Sequence, residues 1–511
     1  MRFRRKRKDG LPAVPTFRDP GPRGYEGPGG GAWRYMANPT FWRGTSDQIA
    51  FLFPWILGTG VPASGVPIGR VTRKVAGRRK GGAGATLCCD PYSWYKAKLI
   101  SNPSAFILGL PGLGKSTLIR KWVLGLDYFG ITSLVLGDLK GEYVPLIRAL
   151  GGQVIRVGRG MGHINVLDMG SAPDAARRLT AAEFLTEAAQ LMAVSRARRQ
   201  AAVETLLTLQ RGAPLGDKEI AVLAAALRAI DARITDRVPI IEDLWDQVED
   251  PTPELDAAAL AYGDRQRYLV VVENLLSNLQ SLANGVGLGE VFSQETTVHF
   301  RVDTHAVFDV SGLDDTDETL RAASLMLCWG IGFGEVAVAN TLAAVGLEEQ
   351  RNYHIVMDEA WRALRAAAGL PQRMDGLIRL NRDKGVVTTF ASHTMDDLAA
   401  LQNEADRRMA AGILERCGMV AAFGCAASEM PRLSTAVKLS RVEQVTLTSW
   451  TTPPTLSTHS TVDDDWPGRG LVLFKIGSRP GIAAQVELVP VEEPYHNTAE
   501  KWSLDDREVA A

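Results

Sequence analysis

Short apolar runs alternate with amphipathic stretches in the first half of the chain. The runs at 105–108, 132–136 and 153–157 have the length of buried strands, and each is followed directly by glycine. After the first run, residues 116–126 carry apolar side chains at helical spacing. Buried strands that alternate with helices are typical of a parallel α/β sheet. We therefore predict an α/β fold with a mostly parallel sheet.

Residues 171–297 have a different pattern. Residues 174–211 contain no Gly or Pro and are rich in Ala, Leu, Glu and Arg. Three later stretches read the same way: 220–231, 240–248 and 262–282. We predict an all-helical insertion. Its arginines Arg196, Arg198 and Arg199 are expected on a solvated face, with a partner or DNA contact as the alternative.

Strand signals return after the insertion. Strands are predicted at 296–300, 307–310, 353–357 and 386–390, a helix at 316–342, and a closing hairpin at 470–476 and 483–489. The chain is therefore divided into a disordered tail (1–45), a small amino-terminal subdomain (46–104), the first part of the α/β domain (105–170), the helical insertion (171–297), the second part of the α/β domain (298–490) and a frayed tail (491–511).

Composition and charge narrow the class of protein. The chain has 511 residues, 23% of them charged, and a formal net charge of −1, which indicates a globular protein without an overall basic field. Residues 2–8 include six Lys or Arg and no acid. This segment is expected to be a disordered tail, or alternatively an arm that touches anionic lipid or a phosphate backbone. No run reaches about 18 apolar residues, so we expect no transmembrane helix.

One loop carries a complete phosphate-binding pattern. Gly109, Gly114, Lys115 and Ser116 occupy the fixed positions of G-x-x-x-x-G-K-[ST], between a predicted strand and a predicted helix. Backbone N–H groups and the helix N-terminus would surround a triphosphate, Lys115 would contact its β- and γ-phosphates, and Ser116 would bind Mg²⁺. The alternative is a plain glycine turn with an exposed lysine. The predicted nucleotide-binding residues are Gly109, Leu110, Pro111, Gly112, Leu113, Gly114, Lys115, Ser116 and Thr117.

A second motif would complete the site. The apolar run 353–357 ends in Asp358 and Glu359, the form of a Walker B element. Asp358 would hold the Mg²⁺ hydration shell, and Glu359 would orient and polarise the attacking water. An apolar run that ends in two acids is weak evidence alone and becomes strong beside a complete phosphate loop. The long separation of the two motifs is explained by the helical insertion.

Further polar residues follow the ends of predicted strands. Asp138, Lys140 and Glu142 follow the second strand, so they are expected on the nucleotide side or against a neighbouring subunit. His393 follows the strand at 386–390, where a polar residue can sense the γ-phosphate. A histidine there can donate a hydrogen bond and can also gain a charge in the working pH range, and a bound triphosphate should favour the charged form. The alternative is that His393 packs against the following helix.

The motifs also occur in an order known from one group of motors. The phosphate loop, the run 137–143, the Walker B residues and the Arg-x-x-Arg-x-x-Gly run of Arg379, Arg382 and Gly385 follow one another. In this the chain resembles the HerA–FtsK superfamily of hexameric motors. It looks most like the large VirB-type ATPase of type IV secretion and conjugation systems, in an actinobacterial-looking form. The resemblance covers about residues 100–490.

The resemblance implies a fold, an activity and a set of partners. It implies a RecA-like P-loop NTPase fold, ATP and Mg²⁺ as ligands, and a homo-oligomeric ring, expected to be a hexamer, with a nucleotide at each subunit interface. Arg382, and Arg379 as second candidate, would be donated to the neighbouring subunit, unless they only cap a helix at the surface. The ring would sit in the cytoplasm at the inner face of the membrane, on a membrane-associated secretion complex, with DNA as a further candidate partner. The family usually has Gln where this chain has His393, and its long amino-terminal domain is reduced here.

Three functions are compatible with these features. The first is an Mg²⁺-dependent ATPase that powers a conjugative or type IV secretion-like machine. The second is a DNA translocase like FtsK or the coupling proteins, and the third is a nucleotide-binding scaffold that does not hydrolyse. A coupling protein normally has amino-terminal transmembrane helices. Because we expect none in this chain, the first function is favoured over the second. The intact set of Lys115, Ser116, Asp358 and Glu359 argues against the third.

Overall fold

A central sheet organises the protein. The computed structural model describes residues 62–72, 85–314, 316–366, 385–395, 401, 404–452 and 468–496. Within them, 11 strands join in one sheet. In chain order the strands are β1 (Pro67–Val71), β2 (Thr86–Cys88), β3 (Ser104–Leu108), β4 (Ile131–Asp138), β5 (Gln153–Arg156), β6 (Ala306–Asp309), β7 (Asn352–Met357), β8 (Val386–Ser392), β9 (Met419–Ala422), β10 (Leu471–Lys475) and β11 (Ile482–Val486).

The sheet is mostly parallel, with an antiparallel edge. Its strand order is β2-β1-β11-β10-β9-β3-β8-β7-β4-β6-β5. The strands from β9 to β5 in this order pair in parallel, while β2, β1, β11 and β10 pair antiparallel. This confirms the predicted α/β class with a mostly parallel sheet. Strands β1 and β2, from the predicted amino-terminal subdomain, extend the antiparallel edge of the same sheet.

Helices flank the sheet and fill the insertion. In chain order they are α1 (Pro91–Lys96), α2 (Lys115–Tyr128), α3 (Val144–Ala149), α4 (Ala172–Ala181), α5 (Leu185–Arg211), α6 (Asp217–Arg233), α7 (Ile241–Glu249), α8 (Pro253–Ala259), α9 (Arg265–Ala283), α10 (Gly289–Phe292), α11 (Glu318–Ala344), α12 (Ala360–Ala366), α13 (Glu404–Arg416), α14 (Met430–Ala436) and α15 (Arg441–Ser449). Helices α4 to α10 lie between β5 and β6, in the range predicted to be a helical insertion.

Both faces of the central strands are buried, which explains their continuous apolar runs. In β3, Phe106 and Leu108 belong to one apolar cluster, and Ala105 and Ile107 belong to another. Successive side chains of a strand point to opposite faces, so these two clusters lie on the two sides of the sheet. A parallel sheet covered on both sides has this pattern.

The stretch 174–211 of the predicted helical insertion forms two helices. Helix α4 ends before Glu183, which has a left-handed backbone (φ 67°), and α5 begins after Phe184. No Gly or Pro marks this break. Phe184 packs against the apolar cluster that contains Leu179 and Ala188, so tertiary packing turns the chain where local propensity favours a continuous helix.

The prediction of a strand at 296–300 is wrong, because these residues form an irregular segment. The hydroxyl of Thr296 accepts a hydrogen bond from the backbone N–H of Asn165 (3.2 Å) and donates one to Asp168 Oδ2 (2.9 Å). The hydroxyl of Thr297 accepts one from the backbone N–H of His163 (3.0 Å). These side-chain contacts tie the segment to the chain after β5, in place of a strand ladder.

Helix α11 is unusually apolar for its length. Among the described residues it is long and apolar enough to cross a bilayer by length and composition, but 83% of its most apolar window is buried inside the protein. Its Gly332 lies against Leu136 of β4, where a Cβ would come within 2.4 Å of the leucine side chain. The burial of this helix on the sheet accounts for its apolar composition.

The three clustered arginines on α5 are expected on a solvated face, but two of them do not lie on one. Arg199 is buried and forms a bidentate ion pair with Asp231 (2.7 and 2.8 Å). Arg198 lines a cavity. Only Arg196 is largely exposed, and it contacts Asp231 at 3.4 Å. A buried charge needs such a partner, so Arg199 has a structural role within the insertion.

A buried histidine makes the stability of this fold depend on pH. His354 of β7 is fully buried, and its Nε2 lies 2.8 Å from the hydroxyl of Thr389. Burial, with a smaller contribution from repulsion by His305, lowers the pKa of His354 to about 3. The folded protein therefore keeps this side chain neutral over most of the acid range.

We expect the free energy of unfolding to fall between pH 7 and pH 4.5. The folded pKa of His354 lies below the ordinary value near 6.5, so only the unfolded chain takes up a proton there, and stability is lost as the pH drops. Two pH units below the unfolded pKa of about 6.5 correspond to a loss of about 3 kcal/mol, because each unit is worth about 1.4 kcal/mol. Chemical denaturation of the wild type and His354→Gln at both pH values measures this loss. The variant should lose about 3 kcal/mol less than the wild type, and an equal loss would assign the effect to other groups.

Candidate nucleotide site

The glycine-rich loop between β3 and α2 has a backbone that only glycine adopts easily. Gly109, Gly112 and Gly114 all have positive φ angles (151°, 78° and 111°). A Cβ on Gly109 would also lie 2.5 Å from the Cβ of Phe423. The glycines of the phosphate-loop pattern are thus required by backbone conformation, and at Gly109 also by close packing.

Helix α2 begins without a side-chain cap. Its N-cap is Gly114, which has a left-handed backbone and no side chain to accept a hydrogen bond. By contrast, Asp264 caps α9 and Asp317 caps α11. The first N–H groups of an uncapped helix, together with its dipole, are a ready site for an anion. The structure therefore keeps the N-terminus of α2 open where the sequence predicts a phosphate.

Lys115 folds back over the loop that precedes it. Its Nζ donates hydrogen bonds to the carbonyl oxygens of Gly109 (2.6 Å) and Leu110 (3.2 Å), and lies 2.8 Å from Nδ1 of His393. Burial lowers the pKa of Lys115 to about 8, against the opposing charges of Asp358 and Glu359. The carbonyl and imidazole contacts hold this buried amine over the loop.

Asp358 follows β7 and is held by two hydrogen bonds. Its Oδ2 accepts one from the hydroxyl of Tyr143 (2.8 Å), and its Oδ1 accepts one from the backbone N–H of Glu359 (3.0 Å). Burial raises the pKa of Asp358, and the adjacent charge of Glu359 raises it further. A cation beside this carboxylate would counter both effects.

Glu359 is held by three donors in a left-handed backbone (φ 51°). Its Oε1 lies 2.5 Å from Nε2 of His393 and 3.3 Å from Nζ of Lys140, and its Oε2 accepts a hydrogen bond from Nε1 of Trp361 (2.7 Å). Burial alone would raise the pKa of Glu359, but its contacts with His393, Lys140 and Trp361 lower the pKa to about 2. The side chain is therefore a carboxylate at neutral pH, as the predicted role requires.

His393 joins Lys115 to Glu359, because strand β8 lies between β3 and β7 in the sheet. The phosphate loop and the Walker B residues thus flank the end of β8, where His393 stands. An ammonium group can only donate, so Nδ1 of His393 accepts from Lys115 and the ring carries its proton on Nε2, which donates to Glu359. We call these three residues the Lys115–His393–Glu359 chain. These contacts place His393 inside the predicted site.

The turn after β4 supplies two further side chains to the site. Asp138 is buried and accepts hydrogen bonds from the backbone N–H groups of Lys140 (3.2 Å), Glu142 (3.1 Å) and Tyr143 (2.7 Å). Burial raises the pKa of Asp138 to about 6. This carboxylate holds the turn, so Lys140 reaches Glu359 and Tyr143 reaches Asp358.

Sequence reasoning missed two residues of the site. Tyr143 lies in the run 137–143, but the sequence gave no reason to place its hydroxyl on Asp358. Trp361 follows Glu359 by two positions and carried no signal, because a tryptophan at the start of a helix is more often simply packed. In contrast, Lys140 is expected on the nucleotide side or against a neighbouring subunit, and its Nζ lies 3.3 Å from Oε1 of Glu359.

Ser116 and Asp358 are the predicted Mg²⁺ ligands. Among the described residues there is no group of three or more His, Cys, Asp or Glu side chains that could hold a metal ion. A hydroxyl and a carboxylate are hard oxygen ligands, and Mg²⁺ commonly keeps several waters and binds substrate phosphates. The residues present therefore fit Mg²⁺ that is bound together with a nucleotide. The predicted Arg379 and Arg382 lie outside the described residues.

Comparison with known proteins defines the fold. No protein-family model and no curated protein sequence matches the chain. The structure of VirB4 of Thermoanaerobacter pseudethanolicus matches 85% of this chain and 100% of that chain, with 20% sequence identity and a TM-score of 0.58. The chain has the fold of VirB4. The resemblance that the motifs predicted is confirmed at the level of the fold.

Structures of the plasmid coupling protein TrwB are more distant. TrwB in complex with the ATP analogue ADPNP covers 85% of this chain and 96% of its own, with 12% identity and a TM-score of 0.48. TrwB in complex with ADP and Mg²⁺ gives 11% identity and a TM-score of 0.47. These TM-scores are too low to define a common fold, so the fold rests on the comparison with VirB4.

Proposed function

We propose that this chain is an Mg²⁺-dependent ATPase that powers a conjugative or type IV secretion-like transfer machine. The observation that carries the proposal is the Lys115–His393–Glu359 chain, which connects the phosphate loop to a carboxylate that is charged at neutral pH. A plain glycine turn would not require a buried lysine in contact with a histidine that reaches an acid at the end of a distant strand. The VirB4 fold, which spans the whole of the matched VirB4 chain, supports the link to secretion.

Binding of ATP would use the loop of residues 109–117. The open N-terminus of α2 and the backbone N–H groups of the loop would hold the phosphates, and Lys115 would contact the β- and γ-phosphates. Ser116 and Asp358 would hold Mg²⁺, which neutralises charge on the phosphates when it is bound. The carbonyl contacts of Lys115 compete with this role, so a bound triphosphate should draw its ammonium group away from Gly109 and His393.

Hydrolysis would use Glu359 to orient and polarise a water molecule. Both oxygens of Glu359 are engaged by His393, Lys140 and Trp361. Oε2 accepts from Trp361 alone, so the carboxylate keeps an acceptor position for water. We propose that His393 couples the position of Glu359 to that of Lys115, because the same imidazole contacts both residues. His393 would then take the place of the glutamine that the resembling family usually has.

The proposal extends to the assembled machine. The chain would form a homo-oligomeric ring, with a hexamer expected from the resemblance, at the cytoplasmic face of the membrane and in contact with the membrane-associated secretion complex. Arg382 would be the leading candidate for the arginine that enters the site of the neighbouring subunit, and Arg379 the second. An arginine in this position stabilises charge in the transition state and is worth about 10³–10⁵ in rate.

We expect Lys115→Ala and Glu359→Gln to abolish ATP hydrolysis in different ways. Lys115→Ala removes the positive charge that would contact the β- and γ-phosphates, so this variant should lose both nucleotide binding and turnover. Glu359→Gln should still bind ATP with Mg²⁺ and hydrolyse it very slowly, because only the positioning of water is lost. Phosphate release and binding of a fluorescent ATP analogue measure the two steps.

Two variants in the insertion provide matched controls for these changes. Lys218→Ala and Glu273→Gln repeat the same substitutions on exposed positions of α6 and α9, so both should keep wild-type turnover. Wild-type turnover in Glu359→Gln would refute the assigned role of this glutamate.

The same assay with single- and double-stranded DNA separates a secretion ATPase from a DNA translocase, since strong stimulation by DNA would favour the translocase.

Two substitutions of His393 should have different effects. Glutamine can accept from Lys115 and donate to Glu359, so His393→Gln should keep hydrolysis but flatten its pH profile between about pH 6 and pH 8, because it cannot gain a charge. Alanine has no side-chain donor or acceptor, so it cannot connect Lys115 to Glu359. His393→Ala should therefore bind ATP and hydrolyse it poorly. Rates measured across this pH range decide between a functional and a structural histidine. If His393→Ala hydrolyses ATP at the wild-type rate, the histidine is only structural.

A further inference from the structure

A cavity of about 500 Å³ lies between helix α5 of the insertion and helix α11, away from the phosphate loop. Its walls are mostly apolar and include Val166, Met169, Phe300, Phe308, Met326 and Ile331. Ligand pockets in proteins commonly have volumes of about 300–1,000 Å³ and the same apolar character with a few polar groups. The volume and lining therefore suit a small organic molecule.

Two polar side chains on α5 line this cavity without a hydrogen-bond partner. Ser195 is only 5% exposed, and its Oγ has no partner. Arg198, one helical turn further on and on the same face, makes no hydrogen bond within the part of the chain that the structure describes. Burial lowers the pKa of the Arg198 guanidinium, and Glu335 partly opposes this. Buried polar groups are nearly always satisfied, so the buried hydroxyl of Ser195 without a partner points to a missing acceptor beside the partly exposed Arg198.

The acids that line the cavity already have partners. Glu335 accepts hydrogen bonds from both the backbone N–H (2.8 Å) and the hydroxyl of Ser171. Asp168 accepts from the hydroxyl of Thr296 (2.9 Å) and the backbone N–H of Gly170 (2.8 Å). The donors without a hydrogen-bond partner are those of Ser195 and Arg198 and Nε of Arg199. A ligand that completes the cavity must therefore bring an acceptor with negative charge.

Gly330 keeps this cavity open. It lies within α11, where glycine is less favourable than alanine by roughly 1 kcal/mol. A Cβ added at Gly330 would meet nothing within 4 Å, so close packing does not require a glycine here. At Gly334, one turn further on, a Cβ would come within 3.0 Å of the Arg198 guanidinium. The two glycines leave room for the cavity and for the arginine.

We propose that this cavity binds a small amphipathic carboxylate, with its carboxylate group on Ser195 and Arg198 and its aliphatic chain along the apolar wall. A carboxylate matches the planar guanidinium with two parallel hydrogen bonds, and Ser195 can donate a third. Val194 and Val298 line the cavity with more than a third of their surfaces exposed, which gives an apolar entrance for the chain.

Isothermal titration calorimetry with decanoate, below the concentration at which it forms micelles, tests this site. The wild type should bind one decanoate per chain. Arg198→Gln should weaken binding by about ten-fold or more through loss of the charged contact, and Gly330→Phe should abolish it by filling the cavity. Arg196→Gln, on the same helix but outside the cavity, should bind like the wild type. Decan-1-ol, which has the same chain without the charge, should bind at least about ten-fold more weakly than decanoate.

Four results would each overturn the proposal. They are no binding of decanoate to the wild type, equal binding of decan-1-ol and decanoate, unchanged decanoate binding in Gly330→Phe, and wild-type affinity for decanoate in Arg198→Gln. Circular dichroism and ATP binding report whether each variant is folded. If Gly330→Phe does not fold, Arg198→Gln alone decides between the outcomes, because wild-type affinity for decanoate in Arg198→Gln would refute the proposed carboxylate site.

Discussion

The site depends on a buried amine that has no carboxylate of its own. Lys115 is enclosed by the loop it follows, and its outward contact is the imidazole of His393, which in turn reaches Glu359. A charged lysine in such a place is costly unless it is hydrogen-bonded, and burial has already lowered its pKa to about 8. A triphosphate is a stronger partner than a neutral imidazole. A bound triphosphate would therefore replace the imidazole as the partner of Lys115.

Sheet topology makes this arrangement possible. Strand β8 lies between β3 and β7, so the three loops that follow these strands meet at one edge of the sheet. The turn after β4 adds Lys140 and Tyr143 from the other side of β7, and Asp138 holds that turn through three backbone N–H groups. Asp358, Glu359 and His393 are thus positioned by strand ends, and each is held by a hydrogen bond from a different element.

The sequence allowed the local features to be predicted and left the long-range contacts open. The glycines of the phosphate loop, the two acids after β7 and the apolar runs of the strands have local signatures, so Lys115, Asp358 and Glu359 can be predicted as site residues from the sequence. The contact of His393 with both motifs depends on the strand order, and those of Tyr143 and Trp361 depend on packing across the sheet. The break at Glu183 and the irregular segment at 296–300 are set by tertiary contacts that override local propensity.

The central claim is that Lys115 leaves His393 when a nucleotide binds, and ¹⁵N NMR of the His393 imidazole tests it most directly. The signal can be assigned by its loss in His393→Gln. Without nucleotide, the proton should reside on Nε2, with Nδ1 as a hydrogen-bonded acceptor. Saturation with Mg²⁺ and a non-hydrolysable ATP analogue should shift the Nδ1 resonance as its donor is withdrawn. An Nδ1 resonance that stays unchanged at saturation would contradict the account.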